Sequence, residues 1–406
     1  MRGSLLKGRI GQMMEEIAEL GRDERGGYTR LAFSDADREV RDYLVGQMQA
    51  AGLKVREDAF GNVFARTHAD DREPAVLLGS HADSVPQGGN YDGIAGIVSA
   101  IAVAETAQRE GWKRPVEAVL FMAEESSRFG AANLGSKAMT GALPADAADY
   151  TDSMGRTLAE VMEERGLIAE NVPYVKKVRA FLELHIEQGR VLDSQLRMLG
   201  IVTGIAAPHR YRLTIKGRAD HSGATPMNLR RDALTGAAEM ILRIEELAQA
   251  NAKRDVIATV GRLEVRPNAI NVVPGEVTMD IDLRGTNEDN INRLCIAILE
   301  NVDAISQKRN LGVQLETITE EEPAQLDAGL IALLADCAAE LGERAMQLPS
   351  GAGHDALYMT RLAPVGMIFV PSKDGISHNP AEHTDLADIV RGATLLCRAA
   401  ERLANE

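Results

Sequence analysis

The chain has 406 residues, of which 45% are hydrophobic, so its composition excludes an intrinsically disordered chain. This length favours two domains over one. The chain carries 45 Lys and Arg residues against 60 Asp and Glu residues, a net charge of −15 without any basic block. Nucleic acids and anionic membranes both require clustered basic residues, so we expect neither as a partner.

Two further features predict a cytoplasmic protein. The three cysteines, Cys295, Cys337 and Cys397, are far apart and form no CxxC pair, which is typical of inert thiols in a reducing cytosol. The N-terminal segment MRGSLLKGRIGQMMEEIAEL is amphipathic and lacks the apolar stretch of a signal peptide. No window of the sequence approaches the ~18 apolar residues of a membrane helix.

The first half of the chain alternates between helical and strand patterns. Apolar spacing predicts helices over residues 5–20, 35–51, 94–108 and 157–165, and strands over residues 53–58, 62–67, 75–78, 116–121, 179–184 and 196–203. This alternation predicts an α/β fold, with a mostly parallel sheet covered by helices on both faces. In such sheets, ligands bind beyond the carboxyl ends of the strands.

A different pattern begins near residue 206. The predicted elements are strand 210–216, helix 228–249, strands 255–265 and 275–284, helix 287–308 and strand 313–318. Their order, βαββαβ, is that of a ferredoxin-like unit. The α/β pattern then resumes with helix 324–341, strand 365–370 and helix 384–404. We therefore predict a discontinuous α/β domain of residues 1–205 and 322–406, with residues 206–321 as an inserted domain.

Polar side chains that can bind metal follow several of the predicted strands. They are His81, Asp83, Asp92, Glu124, Glu125, His185, Glu187 and His378. Zinc takes imidazole nitrogen and carboxylate oxygen as ligands, and catalytic zinc sites leave one position open for water. Two zinc ions ~3.5–4 Å apart need a bridging carboxylate and can hold a hydroxide between them. The residues at these strand ends therefore predict a two-metal hydrolase site.

The simplest assignment uses five of these residues as ligands. His81 and His185 bind one metal, Glu125 and His378 bind the other, and Asp92 bridges the two.

Two further carboxylates, those of Asp83 and Glu124, are assigned roles other than metal binding. Asp83 lies two residues after His81 and can accept a hydrogen bond from its second imidazole nitrogen, which would fix the tautomer. Glu124 and Glu125 cannot point the same way from an extended chain, so Glu125 is free to bind metal while Glu124 acts on the water. Glu124 would take a proton from the bridging water and pass it to the leaving nitrogen.

Seven motifs together resemble a known family. In chain order they are GSHADSVPQGGNYDG, AEESSRFG, LELHIEQG, GRADHSGATPM, RPNAINVVPGEV, SGAGHDA and ISHNPAEHTD. They span nearly the whole chain and resemble the hydantoinase/carbamoylase branch of the aminoacylase-like dinuclear metallohydrolases. That branch includes N-carbamoyl-L-amino acid hydrolases, β-ureidopropionase, and the allantoate and ureidoglycolate amidohydrolases.

The resemblance implies an activity and an assembly. It implies a hydrolase of a ureido C–N bond that releases ammonia and carbon dioxide and holds two divalent metal ions per subunit. The ions would be Zn²⁺ or Mn²⁺, although Co²⁺ and Ni²⁺ suit the same ligands. It also implies a homodimer formed through the inserted domain, which closes over the active site as a lid.

The resemblance also carries over to individual residues. His81, Asp92, Glu125, His185 and His378 fall on the family's ligand positions. Glu124 falls on the position of its general base.

A further set of residues matches the family's substrate contacts. His221 matches a histidine that polarises the scissile carbonyl, often from the partner subunit, and such a donor is worth ~3–4 kcal/mol in comparable sites. Asn271 and Arg284 match residues that hold the substrate carboxylate, and a guanidinium suits bidentate carboxylate binding. The other matches are Gln188 to a ureido-binding position, Arg210 to a further substrate contact, and Gly351–His354 to the substrate loop.

The motifs depart from the usual family pattern at three positions. Ala82 and Ser84 stand where His-Leu-Asp-Thr is commoner, and Ser126 replaces the glycine of Glu-Glu-Gly-Ser-Arg-Phe. These changes leave the predicted ligands intact but affect the pocket floor, so the resemblance alone does not identify the substrate. We expect an N-carbamoyl-L-amino acid, with allantoate or ureidoglycolate as the alternative. Less favoured are an aminoacylase or dipeptidase and an inactive metal-binding homologue.

Overall fold

A computed structural model describes residues 2–68 and 72–406 of the chain. The helices, in chain order, are α1 (Arg2–Ile17), α2 (Asp35–Ala50), α3 (Ile94–Glu110), α4 (Leu134–Thr140), α5 (Leu158–Glu163), α6 (Val191–Ser194), α7 (Ala233–Ala250), α8 (Glu288–Arg309), α9 (Ala328–Glu340), α10 (Asp355–Met359) and α11 (Leu386–Asn405). The strands are β1 (Lys54–Glu57), β2 (Val63–Arg66), β3 (Ala75–Ser80), β4 (Val116–Leu120), β5 (Val178–Ile186), β6 (Leu199–Ile205), β7 (Ala207–Lys216), β8 (Asp220–His221), β9 (Val256–Arg266), β10 (Val272–Val273), β11 (Glu276–Gly285), β12 (Gly312–Glu320), β13 (Ala324–Gln325), β14 (Ala345–Ser350) and β15 (Val365–Val370).

The described residues form two compact units. The first consists of residues up to Thr203 together with Leu326–Leu348 and His354–Glu406. The second consists of Gly204–Gln325 and Pro349–Gly353, so it begins and ends within a few residues of the predicted insert.

The short segment Pro349–Gly353 is a part of the second unit that the sequence did not predict. Its backbone is bonded within that unit. Ala206 donates its N–H to the Ser350 carbonyl oxygen at 2.9 Å, and Arg284 Nη1 donates to the Gly351 carbonyl oxygen at 3.4 Å.

The first unit is built on a mixed sheet with the strand order β1-β2-β4-β3-β5-β15-β6. The four central strands, β4, β3, β5 and β15, are parallel, whereas the flanking pairs are antiparallel. All residues of β3, β4 and β15 are buried, as expected for parallel strands covered on both faces. Helices α1, α3 and α11 contribute to the core that covers one face. The predicted α/β class is confirmed.

The second unit contains an antiparallel sheet with the strand order β12-β7-β11-β9. Its long elements follow one another as βαββαβ. Buried and partly buried residues alternate along β7 and β11, and the buried set packs with α7 and α8 into a separate core. Strands β12 and β9 form the two edges of this sheet.

Two predicted helices begin later than expected because an aspartate caps each of them. The helix expected from residue 228 begins at Ala233, where the Asp232 carboxylate accepts hydrogen bonds from the N–H groups of Leu234 and Thr235. The helix expected from residue 324 begins at Ala328, after the cap Asp327.

Strand β5 runs two residues further than predicted and so includes His185. The short elements α4, α6, α10, β8, β10, β13 and β14 were not predicted. Among residues 2–68 and 72–406, no helix is long and apolar enough to cross a membrane.

Candidate metal centre

The loop after β3 places His81 against the start of α3. Gly93 caps that helix with a φ of +64°, and a Cβ at this position would lie 2.6 Å from the His81 ring. Only glycine satisfies both conditions. His81 Nδ1 lies 3.0 Å from the Asp83 carbonyl oxygen, so this nitrogen carries the proton and Nε2 is left as a metal donor.

The Asp83 carboxylate has different partners from the one predicted. It lies 3.6 Å from His81 Nδ1, beyond hydrogen-bond distance, and the backbone carbonyl of the same residue orients the ring instead. The carboxylate accepts the N–H groups of Glu124 at 3.2 Å and Glu125 at 3.0 Å. Asp83 therefore holds the two glutamates that follow β4 in place beside His81.

The Asp92 carboxylate lies between two groups of donors. Its Oδ1 is 3.3 Å from His81 Nε2 and 3.2 Å from His185 Nε2. Its Oδ2 is 3.3 Å from His378 Nε2, which in turn is 3.2 Å from Glu125 Oε1. Each oxygen of one carboxylate thus faces a different donor set, which is the arrangement of a bridging ligand between two metal ions.

The residues present fit a pair of divalent metal ions. Two sets of ligand atoms, His81–Asp92–His185 and Asp92–Glu125–His378, each lie within 4.8 Å of one another. Each set supplies imidazole nitrogen and carboxylate oxygen, and three protein donors leave a coordination position open. His185 presents Nε2 to Asp92 because its Nδ1 is held 2.9 Å from the Ile186 carbonyl oxygen.

A third possible donor set fits a metal less well. Glu183, His185 and His354 also have ligand atoms within 4.8 Å of one another. However, the Glu183 carboxylate already accepts hydrogen bonds from Ser80 Oγ at 2.9 Å and from the Ala356 N–H at 3.2 Å. Since His185 also belongs to the first donor set, we assign no separate site to this group.

The electrostatics of the cluster favour a bound cation. Hydrogen bonds to Asp92 and Glu125 raise the pKa of His378 to about 11. Burial opposes ionisation of Asp92, yet the neighbouring imidazoles, His185 foremost, hold its pKa well below the usual range. Burial raises the pKa of Glu124 well above its ordinary value. Buried carboxylates so close together require compensating positive charge, which divalent ions would supply.

Glu124 lies at the edge of this cluster. The preceding residue, Ala123, has a φ of +53°, which turns the chain sharply after β4. Glu124 Oε2 is 3.9 Å from His81 Nε2, while its Oε1 accepts a hydrogen bond from Asn133 Nδ2 at 2.9 Å. One oxygen of the carboxylate is therefore anchored and the other faces the metal donors.

Gln188 and His354, both predicted substrate contacts, also belong to the first unit. Gln188 Nε2 donates to Asp92 Oδ2 at 2.6 Å, and its buried Oε1 has no hydrogen-bond partner. The His354 ring packs edge-on against His185, with centroids 4.5 Å apart. Burial lowers the pKa of His354 well below its ordinary value, so the ring is neutral. Gln188 thus carries a free amide oxygen beside the metal donors.

Within the second unit, the structure brings His221 and Asn271 together. His221 pairs with Val272 in the short ladder of β8 and β10, and Ser222 donates its N–H to the Asn271 carbonyl oxygen at 3.0 Å. His221 is exposed, and its Nδ1 accepts the N–H groups of the two residues at 223 and 224. Its proton therefore resides on Nε2, which is free to donate.

The same unit brings Arg210, Arg284 and Gly351 together around Asp282. Arg210 Nε and Arg284 Nη2 donate to Asp282 Oδ2 at 3.1 and 3.2 Å, and Arg284 Nε donates to Oδ1 at 3.0 Å. Arg284 Nη1 reaches the Gly351 carbonyl oxygen. Asp282 is opposite Arg210 in the β11–β7 register and two residues before Arg284, so all three side chains share one face.

Comparison with known proteins identifies the family. The profile described as Peptidase family M20/M25/M40 matches residues 77–402. The chain belongs to this family. Its resemblance to the hydantoinase/carbamoylase branch is also confirmed by the relatives below.

Three relatives of this M20-family chain carry informative names. The chain is 39% identical to an N-carbamoyl-L-amino acid amidohydrolase of Geobacillus stearothermophilus, over 98% of each chain. It is 36% identical to an allantoate amidohydrolase of Escherichia coli, over 97% of each chain. A crystal structure of a hydantoinase/carbamoylase family amidase from Burkholderia multivorans superposes with a TM-score of 0.91, at 35% identity and over 98% of each chain.

Two buried residues of the M20-family site were missed by the sequence analysis. Glu382 accepts the N–H groups of Tyr91 at 3.0 Å and Asp92 at 3.1 Å, and the Ser377 hydroxyl at 2.8 Å. Asn133 contacts Glu124, as described above. The sequence offered one indication that Glu382 belongs to the site, its position four residues after His378, and no such indication for Asn133.

Proposed function

We propose that this M20-family chain is an amidohydrolase that cleaves the ureido C–N bond of an N-carbamoyl-L-amino acid. One water is consumed, and the products are ammonia, carbon dioxide and the free amino acid. The observation that carries this proposal is the Asp92 carboxylate, whose two oxygens face two donor sets with Glu124 beside them. The family and its named relatives make the chain a hydrolase of C–N bonds other than peptide bonds.

Two divalent ions, Zn²⁺ or Mn²⁺, fit the donor sets. His81 and His185 would hold one ion, Glu125 and His378 the other, and Asp92 both. When bound, such a pair supplies Lewis acidity and lowers the pKa of a shared water to near neutrality. Co²⁺ and Ni²⁺ suit the same imidazole and carboxylate donors.

Glu124 moves the proton in this mechanism. Its Oε2 faces the donors, so it accepts a proton from the attacking water and delivers it to the nitrogen that leaves as ammonia. Burial favours the protonated carboxyl, which assists the second of these transfers. Asp83 holds the backbone of Glu124 and Glu125 by accepting both N–H groups.

The remaining predicted residues bind the substrate. His221 Nε2–H stabilises the negative oxygen that develops on the scissile carbonyl. Arg284, with Asn271, holds the substrate carboxylate. Arg210 and the Gly351–His354 loop add further contacts.

Gln188 recognises the ureido group. Its amide oxygen is buried and without a partner, so it can accept an N–H of the substrate's terminal amide.

We also propose a cytoplasmic homodimer formed through the second unit. Both edge strands of its sheet expose apolar side chains, including Leu315 and Ile318 on β12 and Ile257 and Leu263 on β9. Unpaired edges of this kind favour pairing with a second copy. None of the three cysteines forms a disulfide, in keeping with a reducing compartment.

An ammonia-release screen tests the substrate. The enzyme is reloaded with zinc or manganese and offered N-carbamoyl-L-methionine, its D-enantiomer as a matched control, allantoate, ureidoglycolate and β-ureidopropionate. We expect ammonia from the L-carbamoyl compound and none from the D-enantiomer. Ammonia release from allantoate or ureidoglycolate alone would contradict the proposed substrate and favour that compound instead. The 36% identity to an allantoate amidohydrolase supports allantoate as the second candidate.

A further inference from the structure

Asn133 makes two hydrogen bonds to Glu124. Its side-chain Nδ2 donates to Glu124 Oε1 at 2.9 Å, and its backbone N–H donates to the Glu124 carbonyl oxygen at 2.7 Å. Asn133 is 2% exposed and Glu124 is 8% exposed, so neither bond competes with bulk water. Nothing in the motifs assigned a role to Asn133.

The backbone alone is enough to hold this part of the chain. Leu134 donates its N–H to the Ala123 carbonyl oxygen at 2.9 Å, and Gly135 donates to that of Met122 at 2.8 Å, so residues 133–135 run beside residues 122–124. Asn133 also caps α4 through its carbonyl oxygen, which accepts the Lys137 N–H at 2.9 Å. These bonds use backbone atoms only, so a residue that adopts the same backbone conformation keeps them, and the side-chain amide is available for another task.

The amide restricts the rotation of the Glu124 carboxylate. With Oε1 held by Nδ2, the second oxygen is directed to the side on which His81 Nε2 lies 3.9 Å away. An unanchored carboxylate rotates freely about its last bond, because that torsion has a broad, roughly two-fold profile. General-base catalysis needs the accepting oxygen within hydrogen-bond reach of the water in one defined orientation.

We propose that Asn133 is a positioning residue for the hydrolytic reaction. Its amide N–H holds one oxygen of Glu124 so that the other oxygen takes the proton from water and returns it to the leaving nitrogen. This inference rests on the proposed function, in which Glu124 is the general base. Within residues 2–68 and 72–406, the Asn133 side chain makes no hydrogen bond to a predicted metal ligand, so it acts through Glu124.

Two substitutions remove the donor while keeping the backbone. Asn133 has a φ of +58°, a conformation that aspartate and glycine also adopt. Asn133→Asp preserves the shape but replaces the NH₂ donor with oxygen, and Asn133→Gly removes the side chain without strain. Asn310→Asp is the matched control, since Asn310 also has a positive φ, of 53°, and lies at the end of α8.

The test measures kcat, KM and bound metal with N-carbamoyl-L-methionine. For both Asn133 variants we expect kcat to fall by at least about tenfold, because proton transfer is affected. KM should stay within about twofold of the wild-type value, and the metal content should equal that of the wild type. In the inactive Glu124→Gln background, Asn133→Asp should leave the metal content unchanged. Asn310→Asp should match the wild type.

The outcomes separate this inference from the proposed function. A wild-type kcat in both Asn133 variants, beside an inactive Glu124→Gln enzyme, would overturn the positioning role alone. Loss of metal in either background, or a rise in KM equal to the fall in kcat, would indicate a merely structural role and also overturn it. A wild-type enzyme that releases no ammonia from any ureido substrate would overturn the proposed function and this inference with it.

Discussion

At the scale of single residues, the site depends on how one carboxylate is shared. Asp92 is 7% exposed and its two oxygens contact three imidazoles that come from three different strand ends. Replacing such a buried carboxylate removes the charged partner of all three imidazoles at once. Asp92 is therefore the residue whose change should affect both predicted metal positions together.

Asp92→Asn tests this sharing. The asparagine side chain is neutral and ends in one carbonyl oxygen and one NH₂ donor, so it cannot bridge two cations. We therefore expect at most one bound metal per chain instead of two. Metal content is measured by elemental analysis after reloading and gel filtration. Asp385→Asn is the matched control, because Asp385 also contacts a histidine, His383, at 3.1 Å but lies outside the cluster. Retention of two metals by Asp92→Asn would remove Asp92 as the bridge.

The sequence was most informative for residues that act where a strand ends. His81, Asp92 and His378 fall in motifs beside apolar runs, so strand ends and donor chemistry together pointed to them. Glu382 was missed because its role depends on contact with the Asp92 N–H, 290 positions away in the chain. Asn133 was missed because no pattern predicted α4, which it caps. For Asp83, sequence spacing does not show that its backbone carbonyl lies nearer to His81 Nδ1 than its carboxylate does.

At the scale of elements, the loops after β3 and β15 are joined by Glu382. Its carboxylate accepts two N–H groups from the first loop and the Ser377 hydroxyl from the second, next to His378. Partners of this kind orient metal ligands without touching the metal. The same loops are also joined by a hydrogen bond from Ser377 Oγ to Asp92 Oδ2 and by the contact of the Tyr91 hydroxyl with the His383 ring, so Glu382 is one of several groups that set the distance between Asp92 and His378.

Glu382→Gln should weaken metal binding while leaving the protein folded. The neutral amide loses the charge-assisted bonds to the Tyr91 and Asp92 N–H groups, and we expect a ~10–100-fold rise in metal Kd, measured by competition with a chelating dye. Asp58→Asn is the control, since Asp58 also accepts backbone N–H groups, from Phe60, Gly61 and Asn62, away from the metal ligands. An unchanged Kd in Glu382→Gln would contradict this role.

The start of α2 contains a buried aspartate that links stability to pH. Burial raises the pKa of Asp37 to about 7, although Arg41 opposes the shift. The folded state therefore retains a proton that the unfolded chain releases above about pH 4, and the stability from this proton is lost as pH rises towards 7. The full effect is bounded by ~4 kcal/mol, from about 1.36 kcal/mol per pKa unit.

Asp37→Asn should remove this dependence. The amide oxygen can still accept the Phe33 N–H, which Asp37 Oδ2 accepts at 2.9 Å, but no proton is gained or lost. We expect the free energy of unfolding of the variant, relative to the wild type, to increase between pH 5 and pH 8 in urea titrations. Asp35→Asn, at an exposed site in the same helical turn, should show no such increase. The same relative stability at both pH values for Asp37→Asn would refute the burial argument.

At the scale of the whole molecule, we propose that His221 acts on the substrate bound by the partner subunit, and a mixing experiment tests this. Glu124→Gln and His221→Asn enzymes should each be inactive as pure dimers. If His221 acts on the partner's substrate, a mixed dimer contains one site with both residues intact, so refolding the two variants together in equal amounts should restore about a quarter of wild-type activity. Sedimentation should give twice the 43.8 kDa mass of the chain. No recovery on mixing would place His221 in its own subunit's site.

The two-metal amidohydrolase reaction is tested most directly by titrating metal into chelated enzyme while measuring ammonia release from N-carbamoyl-L-methionine. We predict no release from the metal-free protein and a rate that reaches its maximum at two equivalents of zinc or manganese per chain. Full activity without metal, or saturation at one equivalent, would contradict the account of Asp92 as a bridge between two catalytic ions.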